Sequence, residues 1–376
     1  VLEKIPNGAD EKNNSKNEKM VNIYGKERFS PEFAKEHLEL LISDFKNYYT
    51  SLGYQEEPPV LITSGIDPTV RFVGSHISVL KPYLIENSIP GKGIFISQNC
   101  IRTRNADSLL DDDYSPKLAS FFNSLGVLAQ PERLPEVCKE VFDFLNSNLG
   151  IPSENILIRI NSADADLMSA CKSCSDKVNI EPDSRESDYY RHKLGMDGVW
   201  GRNFNIALRN TESKEFSDIG NVIVIENAEK KLGVEVALGT TIILRQMHGL
   251  DHTLDCTPVA DLHLDDKKIR RKFEDSVIVS TVLYREGLRP LGQRNQSRIL
   301  KQYVRSLSYF RAKAGMNIES LSSALAEFES RELPELDNRI SDLIVEYVKS
   351  YENELKSKKD LTGDDEKIKT ALDSII

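Results

Sequence analysis

The chain has 376 residues, 39% apolar and 29% charged, with a net charge of −10. That is long enough for a sizeable core in about two domains and too acidic to coat nucleic acid over its whole surface. No apolar run approaches the roughly 18 residues of a membrane span. The start has no secretory-type apolar stretch either, so the expected location is the cytoplasm, with no membrane partner. Five cysteines, an odd number thinly spread, do not make a disulfide framework.

Residues 1–25, dominated by Asn, Lys and Glu, predict a disordered tail. Order starts at Ser30-Pro31-Glu32, where a capping residue precedes a proline and an acid suited to a helix start. Phe33, Leu38, Leu41, Phe45 and Tyr48 then recur at helical spacing up to Gly53. A second helix is predicted from about Pro135 to Gly150. Short β-type runs cover 70–73, 93–96, 156–160, 203–208, 221–225 and 233–238. Their irregular mixture with helices predicts an α+β sheet rather than a doubly wound one. After about residue 265 only helical patterns remain, at 276–285, 297–312 and 318–355, with a turn at 287–292. The expected domains are a mixed one over 26–260, an all-helical one over 261–355 and a charged tail over 356–376, in which Ile368, Leu372, Ile375 and Ile376 are spaced for a short helix.

Charge is uneven. From Lys267 to Lys313 thirteen Lys and Arg face three acids, a net of +10, so the rest of the chain carries −20. Such a block is either a confined polyanion site or a solvated helix face. Arg294, Arg298 and Arg305 recur at multiples of about 3.6 residues, so one helix face carries them. Two groupings have metal-ligand residue types. Cys171-x-x-Cys174 lacks a second pair, and His248, His252 and Cys256 are interrupted by Gly249 and Thr257-Pro258. Neither is taken as a metal site.

Four segments in order resemble the alanyl-tRNA synthetases, a branch of the class II aminoacyl-tRNA synthetases. Asp67-Pro68-Thr69-Val70-Arg71-Phe72, with Lys81 beyond it, is similar to DPTLLF…K; Ser97-Gln98-Asn99-Cys100-Ile101-Arg102 is similar to SQRCVR, and Ser120-Phe121-Phe122 follows where the family has TFF. Asp197-Gly198-Val199-Trp200 is similar to DNFW. Asp218-Ile219-Gly220-Asn221-Val222-Ile223-Val224-Ile225 is similar to EIWNLVFI, with Val234-Glu235-Val236-Ala237-Leu238-Gly239 in place of VDTGMG. The resemblance implies a class II synthetase-like antiparallel sheet flanked by helices, followed by an all-helical tRNA-binding domain. It further implies an ATP-dependent ligase that activates alanine or another small amino acid and passes it to tRNA, with ATP and Mg²⁺ as cofactors. Arg102 would bridge the reacting carboxylate and the α-phosphate. Arg104, Phe121, Phe122, Gly239 and Arg245 complete the implied ATP site, although strand neighbours point oppositely, so at most one phenylalanine can face a nucleotide. Trp200, Ile223 and Glu235 would form the amino-acid pocket. Arg289, Arg294, Arg298, Lys301 and Arg305 would grip tRNA phosphates.

The chain also departs from the family. Ile242 stands where an arginine clamps the γ-phosphate, and Arg245, three residues on, is the nearest substitute. The Gly-rich basic loop after Arg102 is replaced by Thr103-Arg104-Asn105-Ala106-Asp107, and the GPCGPCSE segment by Gly201-Arg202-Asn203-Phe204-Asn205. Two alternatives follow: a non-catalytic protein that binds tRNA or an amino acid, and an adenylating enzyme that uses a carrier protein or small molecule as acceptor. Asp218 and Glu226 flank a strand expected near the phosphates, which makes them the Mg²⁺-ligand candidates.

Overall fold

The computed structural model describes residues 29–174, 179–183, 187–259, 266–333, 339–361 and 363–374. The expected tail at 1–25 and the expected boundary near 260 lie outside these residues, as do Ile375 and Ile376. The chain divides into two compact units: the first comprises 1–58, 80–97 and 125–251, the second 59–79, 98–124 and 252–376. The units therefore interleave in sequence, where a single boundary near 260 was expected.

The first unit is built on a sheet. Its strands are β1 (Gln55–Glu56), β2 (Ile94–Ile101), β3 (Phe121–Ala129), β4 (Ile156–Asn161), β5 (Asn179–Asp183), β6 (Arg191–Lys193), β7 (Trp200–Arg209), β8 (Phe216–Glu226) and β9 (Lys231–Gly239). They lie in the order β1-β2-β3-β9-β8-β7-β4-β5, with β6 paired to β7; the outer ends of β2 and β3 belong to the second unit. The centre, β4-β7-β8-β9, is antiparallel as expected. The pairs β1–β2 and β4–β5 are parallel, so the sheet is mixed. Along it, Ile160, Phe204, Val222 and Val236 stand in one cross-strand row and are all buried. Helix α1 (Ala34–Ser51) buries Leu41, Phe45 and Tyr49, and the Phe45 ring lies 6.0 Å from Phe95 and 5.6 Å from Phe144. A nine-residue helix, α2 (Ile77–Ile85), straddles the unit boundary. The helix predicted to Gly150 is α3 (Leu134–Asp143) plus a π-turn at Phe144–Asn148. Helix α4 (Ala165–Cys174) packs on α3, and α5 (Thr240–His248) follows β9.

The run 70–73 is not a strand. Asp67 Oδ1 accepts from the Thr69 backbone N–H at 3.0 Å and its hydroxyl at 2.6 Å, and this local turn chemistry wins over β propensity.

Among the described residues the second unit carries five α-helices, α6 (Lys267–Arg285), α7 (Asn295–Lys313), α8 (Ile318–Glu332), α9 (Ile340–Ser357) and α10 (Asp364–Asp373). Asp266 accepts from the N–H groups of Lys268 and Ile269, which starts α6 well before the predicted 276. The predicted helix 318–355 is two helices, because Pro334 cannot continue the first one. The expected charged tail holds the end of α9 and the whole of α10, whose Ile368 and Ala371 are buried in this unit's core. Ile62, Phe72, Ile101, Ala106 and Leu109 join that core from the earlier segments.

Candidate functional site

The other face of the first unit's sheet carries several polar side chains. Asn203, Ile223 and Glu235 stand directly opposite one another on β7, β8 and β9. In the adjacent row of the same face stand Arg159, Asn205, Asn221 and Ala237. Strands spaced about 4.8 Å apart put Asn203 and Glu235 about 10 Å apart at the backbone, with Ile223 between them. Each of these two is 1% exposed. The Asn203 amide donates to Asn205 Oδ1 at 2.6 Å, and the Asn205 amide donates to Asp218 Oδ2 at 2.8 Å. Arg159 pairs with Asp218 at 2.8 Å, closing the chain of bonds. Asn203 Oδ1 is buried with no hydrogen-bond partner among the described residues, an arrangement that costs about 1–3 kcal/mol unless a ligand or water donates to it. A buried carboxylate and a buried amide acceptor on one sheet face suit a small cationic group.

Trp200 does not share that face. Its register, opposite Glu226 and one step from Gly201 and Ile225, gives it the opposite parity to Ile223 and Glu235. Its indole N–H donates to Glu226 at 3.0 Å. Arg202 grips the same carboxylate through two nitrogens at 2.7 and 3.0 Å, and also Asp164 and Asp166 at 3.0 Å. These bonds hold the Asp166 carboxyl well below the usual range. Spacing along the chain does not mark Arg202, because its acids lie on two distant segments, Asp164 and Asp166 on one and Glu226 on the other.

The two carboxylates offered for Mg²⁺ are thus committed, Asp218 to Arg159 and Asn205, Glu226 to Arg202 and Trp200. No group of three ligand-type side chains suited to a metal occurs among the described residues. These residues do not fit a resident Mg²⁺.

Of the residues expected around ATP, Gly239 and Arg245 belong to the first unit, while Arg102, Arg104, Phe121 and Phe122 belong to the second. Arg102 is exposed; its Nε donates to the Gly74 carbonyl at 3.1 Å and its guanidinium lies 5.1 Å from the Phe122 ring centre. Phe121 packs against the helical core instead, so only Phe122 is placed beside Arg102. Arg104 is exposed, whereas Asn105 is buried and donates to Asp275 of α6 at 2.9 Å. Gly239 immediately precedes α5. Ile242 and Arg245 are both half-buried on α5, and the Arg245 Nε donates to the Leu250 carbonyl at 3.4 Å, close to the helix end.

The predicted phosphate-gripping stripe is split. Arg289 stacks 4.9 Å from the Tyr284 ring centre and donates to the Tyr284 and Leu288 carbonyls at 2.9 and 2.8 Å, anchoring the turn after α6. Arg294 is the exposed N-cap residue of α7. Arg298, Lys301 and Arg305 line one cleft together with Arg71 and Lys367, neither of which the stripe predicted.

Cys171 and Cys174 gain a neighbour that spacing could not show. The Cys138 thiol of α3 interacts with both, and the Cys138 and Cys174 thiols are pushed well up, Cys138 chiefly by Cys171 and Cys174 by Cys138. All three are buried free thiols.

No protein-family model matches the chain. The alanine–tRNA ligase of Acetivibrio thermocellus is 22% identical over 161 residues, which is 41% of this chain and 18% of that protein. Among solved structures, the RNA-binding domain of threonyl-tRNA synthetase from Cryptosporidium parvum aligns with a TM-score of 0.40 and 13% identity over 64% of this chain and 72% of that one. Apo histidyl-tRNA synthetase of S. aureus aligns with a TM-score of 0.40 and 11% identity over 66% and 75% respectively. By name, all three proteins are aminoacyl-tRNA synthetases or parts of them.

No helix among the described residues is long and apolar enough to cross a membrane.

Proposed function

We propose that the chain is a synthetase-like ligase that activates a small amino acid with ATP as the adenylate and transfers it to tRNA. The observation that carries this is the cross-strand row of Asn203, Ile223 and Glu235: two buried acceptors flanking one apolar side chain. Glu235 and Asn203 would hold the substrate's ammonium, and Ile223 would limit its side chain, which favours alanine, serine or glycine. Arg102, exposed beside Phe122 in the second unit, is the residue that the resemblance assigns to the carboxylate and α-phosphate, and Mg²⁺ would arrive with the nucleotide. In-line attack by a carboxylate needs little proton transfer, so positioning and charge neutralisation supply most of the acceleration.

A second proposal, a non-catalytic tRNA- or amino-acid-binding protein, is favoured by one observation. Ile242 replaces the γ-phosphate arginine, and Arg245 is turned to the Leu250 carbonyl.

Amino-acid-dependent ATP–pyrophosphate exchange across all the standard amino acids separates the two. The ligase predicts exchange with a small amino acid that falls at least about 100-fold in Arg102→Ala. In Glu235→Gln it predicts a rise in the amino-acid KM with a smaller change in kcat. Silence from a folded chain with every amino acid would leave the binding-protein proposal.

A further inference from the structure

A cleft of about 800 Å³ in the second unit is lined by the 106–111 loop, α7 and the first turns of α10. Arg71, Arg298, Lys301, Arg305 and Lys367 bring five positive charges to it, and Asp107, Asp111, Asp364 and Asp365 bring four negative ones. The charges nearly balance, but they are not paired one to one. Asp365 Oδ1 accepts from the Tyr351 hydroxyl at 2.7 Å and lies 3.3 Å from Arg305 Nη1, while Oδ2 lies 3.0 Å from Lys358 Nζ. Arg305 is stacked 4.4 Å from the centre of the Tyr351 ring. Arg71, Arg298 and Lys301 make no ion pair among the described residues, and neither does Asp364.

Three uncommitted cations thus stand beside a fourth that is occupied by a carboxylate of the chain itself. Helix α10 is held there by Ile368 and Ala371 in the core, which leaves its acids on the cleft. A phosphodiester carries one negative charge, as Asp365 does, so it can take that place on Arg305 while its neighbours reach Arg298 and Lys301. A partly exposed ion pair of this kind is weak enough to exchange, and cations on a rigid helix position a backbone without reading its sequence.

We propose that the cleft binds the phosphates of an RNA backbone, and that Asp365 is a resident anion which the backbone displaces from Arg305, with Asp364 adding negative charge beside it. This rests on the tRNA part of the proposed function.

The test is fluorescence anisotropy with a short RNA hairpin of arbitrary sequence, titrated over a range of salt on the full chain. Arg298→Ala with Lys301→Ala is expected to weaken binding at least about tenfold and to lower the slope of log K against log salt by about 1.5. Asp364→Asn with Asp365→Asn is expected to tighten it about fivefold, and Asp364→Glu with Asp365→Glu to leave it near wild type. Thermal melting checks that each variant is folded. Should the double Asn variant melt early, Asp364→Asn alone breaks no ion pair and is expected to tighten binding about twofold. A wild-type chain that binds no RNA at low salt, or variants that all bind alike, would overturn the proposal. So would weakening in the Ala pair without tightening in the Asn variants. Pyrophosphate exchange on the same preparations separates the two failures: exchange without any RNA effect removes the cleft and leaves amino-acid activation standing, and the RNA effects without exchange do the reverse.

Discussion

His248 ends α5 with neither ring nitrogen hydrogen-bonded among the described residues, its ring 5.4 Å from Phe29 and 4.7 Å from His37. Burial, and secondarily the charge of His37, lower its pKa from 6.5 to about 4. Between those values the unfolded chain binds more protons than the folded one, so stability rises with pH through that window and falls as the solution is acidified. Partial exposure limits the effect to about 2 kcal/mol. Urea unfolding between about pH 4 and 7 should show this slope, and His248→Leu should flatten it. An equal slope in both proteins would mean that other groups carry it. Residue types at this scale were legible in the sequence: Glu235 stood out as a carboxylate among Val234, Val236 and Leu238. The importance of Asn203 was not, because an asparagine is unremarked until its burial and its missing partner are known.

Between elements, two packing points decide the local geometry. At Gly220 on β8 an added Cβ would lie 2.0 Å from the Ala237 carbonyl oxygen of β9, and a backbone atom cannot step aside. Gly220→Ala is expected to destabilise by about 3 kcal/mol or more, read from the urea midpoint. In the second unit Asp275 of α6 is fully buried and accepts from the Ser120 N–H and hydroxyl, each at 2.7 Å, and from the Asn105 amide. Burial raises its pKa despite those bonds. Asp275→Ala strands the buried Ser120 N–H and leaves the Ser120 hydroxyl and the Asn105 amide only their other partners, Tyr303 and Leu118, and should cost about 3 kcal/mol, with Asp275→Asn costing less. A loss under about 1 kcal/mol in the alanine variant would show that water replaces the carboxylate. Helical spacing placed most helices correctly. It failed at 318–355, where Pro334 follows the first of two helices, while the β-type pattern failed at 70–73, where an Asp–Thr turn outweighs two valines.

For the molecule as a whole, the interleaving of the two units has a direct consequence. Ile62, Phe72, Ile101, Ala106, Leu109 and Leu254 lie in the same core as residues of α6–α10. A fragment ending at residue 259, close to the domain predicted from sequence, would leave these six without their partners. At about 1.5–3 kcal/mol each that approaches or exceeds the stability of an ordinary domain. The fragment should bind a hydrophobic dye and be cleaved in the 59–79 and 98–124 segments while the full chain resists. A protease-resistant fragment with a cooperative melt would refute this.

By itself the sequence determined the α+β class and the all-helical character after residue 265, since those follow from periodicities of two and about 3.6 that each segment carries alone; the antiparallel centre of the sheet was implied only by the resemblance. The sequence also placed Ile223 and Glu235 in successive β-type runs, which the structure pairs. Only the tertiary structure decided that Trp200 faces away from them, that Arg202 gathers three acids from two segments, that Cys138 meets Cys171 and Cys174, and that α10 lays its carboxylates on the basic cleft. Each of these depends on register or on contacts between residues far apart in the chain, and spacing along one chain carries no information about which face or which distant segment a side chain meets.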